Sequence, residues 1–298
     1  MNLIDILDYA TDKSRFKTLD GFIDFCTNYL AYIDKNLQAK IISQNENHYQ
    51  FFQYDNWGSY QITRPVNSNL FYSINEFEKK KKLFRRALKD AKGISKKDKV
   101  VRAVINQTVY TIQQSIGASL DALPPGKSNK ARKLNGDLFE HFVRLIIREI
   151  GIECNSGVVQ VPVVIKRKKL FNMSYQHDLI VKRNEQLKML GTIKTSSKDR
   201  LDKMFVDKFL YSRLTETAIP HIAIILNDVQ RKGGKKENEY GISATFLPGH
   251  FKGYTVKLNP LDGVYYCDIR PSMQTEEILK DHIRTLDHLL CEDIWKFV

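Results

Sequence analysis

The stretch HIAIILNDV, residues 221–229, sets Ile222, Ala223, Ile224, Ile225 and Leu226 in an unbroken apolar row. A strand with one wet face alternates apolar and polar side chains, whereas a continuous row belongs to a strand covered on both faces. Its neighbours supply the covering layers. LNGDLFEHFVRLIIREIGI has helical periodicity, with Phe139, Phe142, Val143, Ile146, Ile147 and Ile150 on one side and Gly151 at its end. GVVQVPVVIK, QHDLIVKR and LKMLGTIKT are strand candidates. A helix is expected from Arg200 to about Leu214, burying Leu201, Met204, Phe205, Phe209 and Leu210. YGISATFL, YTVKLN and GVYYCDI are expected as further strands, and TEEILKDHIRTLDHLLCEDIWKFV as a closing helix. The order helix, three strands, helix, strand predicts an α/β fold with a mixed central sheet flanked by helices.

The first half differs. Leu3, Ile6 and Leu7, then Phe22, Ile23, Phe25, Tyr29, Leu30 and Ile33, recur at helical spacing. HYQFFQYDNWGSYQITRPVNSN interrupts them, as a hairpin or an irregular loop, before helical spacing resumes to Ile116. LPPGKSNK is a turn or linker. The expected organisation is a mainly helical, basic domain over 1–125, wrapping DNA or mediating dimerisation, and a catalytic domain over 126–298.

Charge narrows the partner. Of a net charge of +13, residues 79–102 contribute +10: twelve Lys or Arg against Asp90 and Asp98. So concentrated a surplus suits a polyanion, nucleic acid ahead of a membrane surface, although a solvated helical face is the plainer reading. Lys79, Lys80, Lys81, Lys82, Arg85 and Arg86 are the candidate phosphate contacts. No apolar run approaches the ~18 residues of a membrane span, so no membrane is expected. The acidic, amphipathic start lacks a signal-peptide pattern. Four scattered cysteines without a CxxC suggest reduced thiols and a cytoplasmic protein.

The chemistry gathers around LGTIKTSSKDR, residues 190–200. Asp178 lies inside the strand QHDLIV, and Lys194 ends the next strand sixteen residues later. A carboxylate and a lysine at the ends of neighbouring strands make a site for a hard cation and a water. Mg²⁺ takes one or two carboxylates plus substrate phosphate, and a lysine beside it can position or deprotonate the water. The position two before the lysine, where a second acid would share its face, is Thr192; further on, the helix offers Asp202 and Asp207. At 100° per residue Asp207 falls on the side of Arg200 and Lys203, opposite the apolar stripe. In Lys198, Asp199 and Arg200, the cations suit guanine O6 and N7 and the carboxylate suits cytosine N4. Gln230, Arg231 and Lys232, after the buried strand, are candidates for outer bases or phosphates. Gln113 and Gln114 are weaker candidates for a minor groove.

Together these residues resemble the PD-(D/E)XK nuclease superfamily, in particular the type II restriction endonucleases that cut CCGG or CC-(N)-GG sites. In that branch a small residue replaces the acid before the lysine, and an acid thirteen or fourteen residues after the lysine takes over. Thr192-Ile193-Lys194 and Asp207 fit that pattern, although Asp207 stands where glutamate is usual. A Lys/Arg-Asp/Glu-Arg triplet reading CC:GG begins four residues after the lysine, matched by Lys198-Asp199-Arg200. The acid of the superfamily's first helix corresponds to Glu140. The resemblance covers roughly residues 130–232, about a third of the chain. It implies Mg²⁺ held by Asp178, Asp207 and the Ile193 carbonyl, with Lys194 serving the water and Glu140 orienting the site. It also implies double-stranded DNA as substrate and, for a palindromic site, a homodimer. Two alternatives stay open: a nuclease of the same fold acting in repair, on junctions or on modified DNA, and a noncatalytic sequence-specific DNA-binding protein.

Overall fold

The computed structural model describes residues 1–56, 59–198, 200–234, 236 and 239–298; Asp199 of the triplet lies outside them. The apolar row becomes β8 (His221–Asn227), with every residue buried. It is an inner strand of a six-stranded sheet ordered β12-β11-β8-β7-β6-β5. β5 (Cys154–Ile165), β6 (Lys168–Arg183) and β7 (Gln186–Ser196) form an antiparallel meander. β7, β8, β11 (Gly263–Tyr266) and β12 (Ile283–Thr285) run parallel. The parallel step from β7 to β8 needs a crossover, which α6 (Leu201–Thr215) provides.

The unbroken row of β8 follows from its position between two layers. Ile222 and Ile224 join Phe139, Phe142 and Ile146 of α5 (Ser128–Glu149) on one side. Ala223 and Ile225 join Leu201, Met204 and Phe205 of α6 on the other. Each fully buried Ile or Phe contributes about 1.5–3 kcal/mol, which pins the strand's phase and so fixes which residues reach its end.

The first half supplies α1 (Leu3–Thr11), α2 (Leu19–Asn36), α3 (Ile74–Lys89) and α4 (Lys99–Leu120). The aromatic interlude folds as β1 (Ala39–Ile42), β2 (Tyr49–Asn56), β3 (Ser59–Ile62) and β4 (Val66–Asn67), an antiparallel sheet. One hydrophobic core takes residues from both sides of position 125, from Ile6 to Ile294. Phe22 of α2 stacks on Phe142 of α5 at 4.6 Å. Polar ties cross too: the Tyr49 hydroxyl (2.9 Å) and the Asn67 amide (2.8 Å) donate to buried Asp268. Burial still pushes that carboxyl up to about 6.

Three expectations fail. YTVKLN is not a strand, because Pro248 opens helix α7 (Pro248–Lys257). Phe251 and Tyr254, one helical turn apart, pack on Phe205; their aromatic character suits either structure. The closing helix expected from Thr275 does not form: α8 (Pro271–Thr275) ends where it should begin, α9 (Leu279–His282) is a single turn, and β12 then extends the sheet. Short helical pieces, Leu286–His288 and Ile294–Phe297, flank a π turn at Leu289–Asp293. Gln113 and Gln114 face no groove, being 0% exposed inside α4. Gln113 donates to Asn135, and Gln114 to the Tyr110 hydroxyl.

Candidate active site

The β6–β7 ladder stops at the pair Leu179–Gly191, while β7 continues to Ser196 along β8. Beyond that pair the two antiparallel strands part, and the Asp178 side chain bridges the gap: its Oδ2 accepts the Ile193 N–H at 2.9 Å. The β5–β6 pair is bulged at this same point: Asp178 and Leu179 of β6 stand against Ser156 alone. A carboxylate thus occupies a rung that backbone would otherwise fill, at the floor of a cleft of about 1070 Å³.

Lys194 reaches into the same opening. Its Nζ lies 2.6 Å from Asp178 Oδ2 and 3.0 Å from Glu140 Oε1. The three side chains are 14–28% exposed, accessible from the cleft yet removed from bulk water. Burial and the Asp178 charge raise the Glu140 carboxyl above its ordinary range, with Lys194 pulling the other way. One ammonium therefore contacts both carboxylates, and since burial and Asp178 outweigh Lys194 and Arg144 at Glu140, the centre favours a further cation. The residues that would hold it, Asp178, Asp207 and the Ile193 carbonyl, offer hard oxygen, as Mg²⁺ requires. Among the described residues no three acidic, His or Cys side chains gather tightly enough for a complete metal shell. The shell would be filled by substrate oxygens and water.

Asp207 lines the cleft wall from α6, and its carboxylate is ion-paired with Lys203 one turn earlier. Asp202 is exposed and does not line the cleft. Beneath Asp207, His177 and His221 stand edge to face at 6.0 Å. Burial, then His221, pushes His177 down to about 4, so it stays neutral at pH 7.

Thr192, Lys198 and Arg200 line the cleft with the acids. Lys198 Nζ donates to Gln230 Oε1 at 3.2 Å, so the start of α6 and the start of β9 (Val229–Gly233) form one polar rim. Arg231 lines the cleft but is engaged in structure, donating to the Ile62 carbonyl at 2.5 Å and lying over the Tyr240 ring. Lys232 is exposed on β9 outside the cleft. None of Lys79, Lys80, Lys81, Lys82, Arg85 and Arg86 lines it either. They sit on α3, where Lys81 pairs with Glu78 at 2.7 Å and Arg85 pairs with Asp20.

Arg144 is a member of the site that spacing alone did not single out. It stands one helical turn after Glu140, and its Nη1 donates to the Asp178 carbonyl at 2.9 Å. The i, i+4 relation on α5 was the available signal. Arg132 and Lys133 also reach the cleft from that helix.

No protein-family model matches the sequence, and no curated protein sequence matches it. In three dimensions the chain is similar to the crystal structure of the type IIP restriction endonuclease Kpn2I. The TM-score is 0.73 over 99% of this chain and 97% of that one, at 17% identity. A second solved structure, the restriction endonuclease PspGI in complex with substrate DNA, aligns over 73% of this chain and 92% of that one, with a TM-score of 0.41 and 12% identity. The mixed sheet, its flanking helices and its strand order place the fold of this chain among restriction endonucleases.

Proposed function

We propose that the protein is a Mg²⁺-dependent type II restriction endonuclease that hydrolyses double-stranded DNA, as a homodimer, at a palindromic site containing CC and GG. The observation that carries this reading is the Lys194 ammonium held between Asp178 and Glu140 at the point where β6 and β7 part. Mg²⁺ would supply charge to the transferring phosphoryl group and acidify the attacking water. Asp178, Asp207 and the Ile193 carbonyl would hold it. Lys194, fixed by two carboxylates, orients the water and offsets phosphate charge, and Glu140 fixes Lys194. Lys198, Asp199 and Arg200 read the base edges, with Gln230 beside them on the rim. The cations of α3 and Lys232 contact backbone phosphate outside the cleft.

Incubation of purified protein with plasmid DNA and Mg²⁺ tests the reading. Discrete fragments whose sequenced ends carry CC and GG are expected, with none in chelator. A smear would leave a nuclease without base readout, and intact plasmid would leave no nuclease. The triplet has its own check, since Asp199→Ala removes a negative charge from a protein that binds a polyanion. It should nevertheless weaken specific binding by about 1–3 kcal/mol, because it removes an acceptor for cytosine.

A further inference from the structure

Beyond the cleft, β5 and β6 continue as a two-stranded arm. Residues 168–177 of β6 pair with β5 alone, because the ladder to β7 begins only at Leu179. Asp178 therefore stands at the root of the arm, and the arm leaves the sheet from its catalytic end. Val161 and Tyr175 pack against Tyr211 of α6 at its base; from Val164 to Asn172 every residue is exposed.

The tip carries Lys166, Arg167, Lys168 and Lys169 in succession, and residues 154–177 contain no acid. Among the described residues none of the four forms an ion pair, unlike Lys81 and Arg85 of α3. Lys166 (φ 48°) and Arg167 (φ 65°) form the turn itself. Positive φ at both central residues of a two-residue hairpin favours Asn-Gly. Two long cations stand there instead, against the local preference of the backbone. The nine residue steps from Lys169 to Asp178 span about 30 Å of strand, close to one helical turn of duplex at ~34 Å.

We propose, resting on the nuclease reading, that this arm grips the phosphate backbone of duplex DNA about one helical turn from the scissile bond, outside the bases read by the triplet. The exposed Val164, Ile165, Leu170 and Phe171 would also suit a second copy of the arm. A two-fold contact between tips, however, would bring eight unpaired cations together, whereas a phosphate backbone neutralises them.

The test replaces Lys166→Asn, Arg167→Gly, Lys168→Gln and Lys169→Gln together, which keeps a turn sequence that favours the hairpin; an unchanged thermal melt confirms the fold. Binding is measured without divalent metal, on a short duplex holding only the target and on one extended by ten base pairs each side. Wild type should bind the longer duplex more tightly and with a steeper salt dependence. The variant should lose that advantage, its log–log salt slope falling by about 0.9 for each phosphate contact removed. Equal slopes on the longer duplex overturn the arm, as does a variant that merely shifts from dimer to monomer in light scattering. Arm-dependent binding without plasmid cleavage overturns the nuclease reading alone. Cleavage with an unchanged slope overturns the arm alone, and a wild type that binds no duplex overturns both.

Discussion

Two places in this molecule set one cation between two carboxylates, and they are built to opposite ends. Arg102 of α4 lies 2.8 Å from Asp287 and 2.7 Å from Glu292, with all three side chains 10–13% exposed. Glu292 also receives Lys96 at 3.1 Å and His288 at 3.2 Å. Burial pushes the Glu292 carboxyl up, but Arg102 and Lys96 outweigh it and hold the group below its ordinary range. The Lys194 centre has the reverse balance: one ammonium contacts both carboxylates, the Arg144 guanidinium bonds the Asp178 carbonyl and neither carboxylate, and burial and Asp178 outweigh both cations to hold Glu140 above its range. The first arrangement is electrostatically saturated and ties α4 to the chain's end. In the second the cations do not offset burial at Glu140, and it opens on a cleft. A buried ion pair is weak grounds for function by itself; the unbalanced charge of an accessible one is the stronger sign.

The largest expected effect tests the unbalanced centre. Asp178→Ala and Lys194→Ala should each lower plasmid cleavage by at least about 10³-fold, with folding and specific binding largely retained. Asp207→Ala should be as inactive, whereas Asp202→Ala, outside the cleft, should cut normally. Inactivity of Asp202→Ala with activity of Asp207→Ala would move the second metal ligand five residues back along α6. Near-normal cutting by Asp178→Ala or Lys194→Ala would erase the distinction between the two centres.

Next comes the saturated centre. Arg102→Ala strands two buried carboxylates, and breaking a buried pair in this way costs roughly 3–5 kcal/mol. Urea denaturation should show that loss, with cleavage per folded molecule unchanged at permissive temperature. If Lys194→Ala destabilised the fold as much as Arg102→Ala, both would be structural ties.

The two centres also differ in how far the sequence revealed them. Asp178 and Lys194 lie on adjacent strands of one hairpin, so their spacing and the ends of two apolar runs were enough to bring them together. Asp207 followed from helical phase, since its side of α6 is the one opposite the buried stripe. Glu140 came only through family resemblance, because nothing local says which turn of α5 meets the strand ends. The partners of Arg102 stand 185 and 190 residues away, at the end of a chain whose periodicity suggested one helix. The break at Ile278 (φ 70°) and the added strand β12 answer to the edge of the sheet, which is a tertiary demand. The same applies to the arm, since GVVQVPVVIK has the composition of an ordinary strand and only the early end of the β6–β7 ladder shows that it leaves the sheet.

The smallest effect separates the centres by sign. A carboxyl whose folded pKa is raised disfavours the fold increasingly as pH climbs from its unfolded value, near 4.5, through the raised one. Glu140→Gln removes that burden, so at pH 7 and without divalent metal the variant should melt above wild type. The difference should close as pH falls below about 4.5, where Glu140 is protonated in both states. Glu292 lies on the other side of the same reference value. Its charge favours the fold above pH 4.5, and that contribution disappears as pH falls through the depressed pKa. Glu292→Gln should therefore melt below wild type at pH 7 and converge with it in acid. Mg²⁺ sharpens the contrast: it should raise the melting temperature of wild type and of Glu292→Gln, and less that of Glu140→Gln, since the shortage of positive charge has been relieved at that centre alone. Thermal melts across pH 3–8 would read all three differences. Equal signs for the two variants would mean that Glu140, like Glu292, is already matched by its neighbours, leaving no unmet charge to draw a metal ion into the cleft.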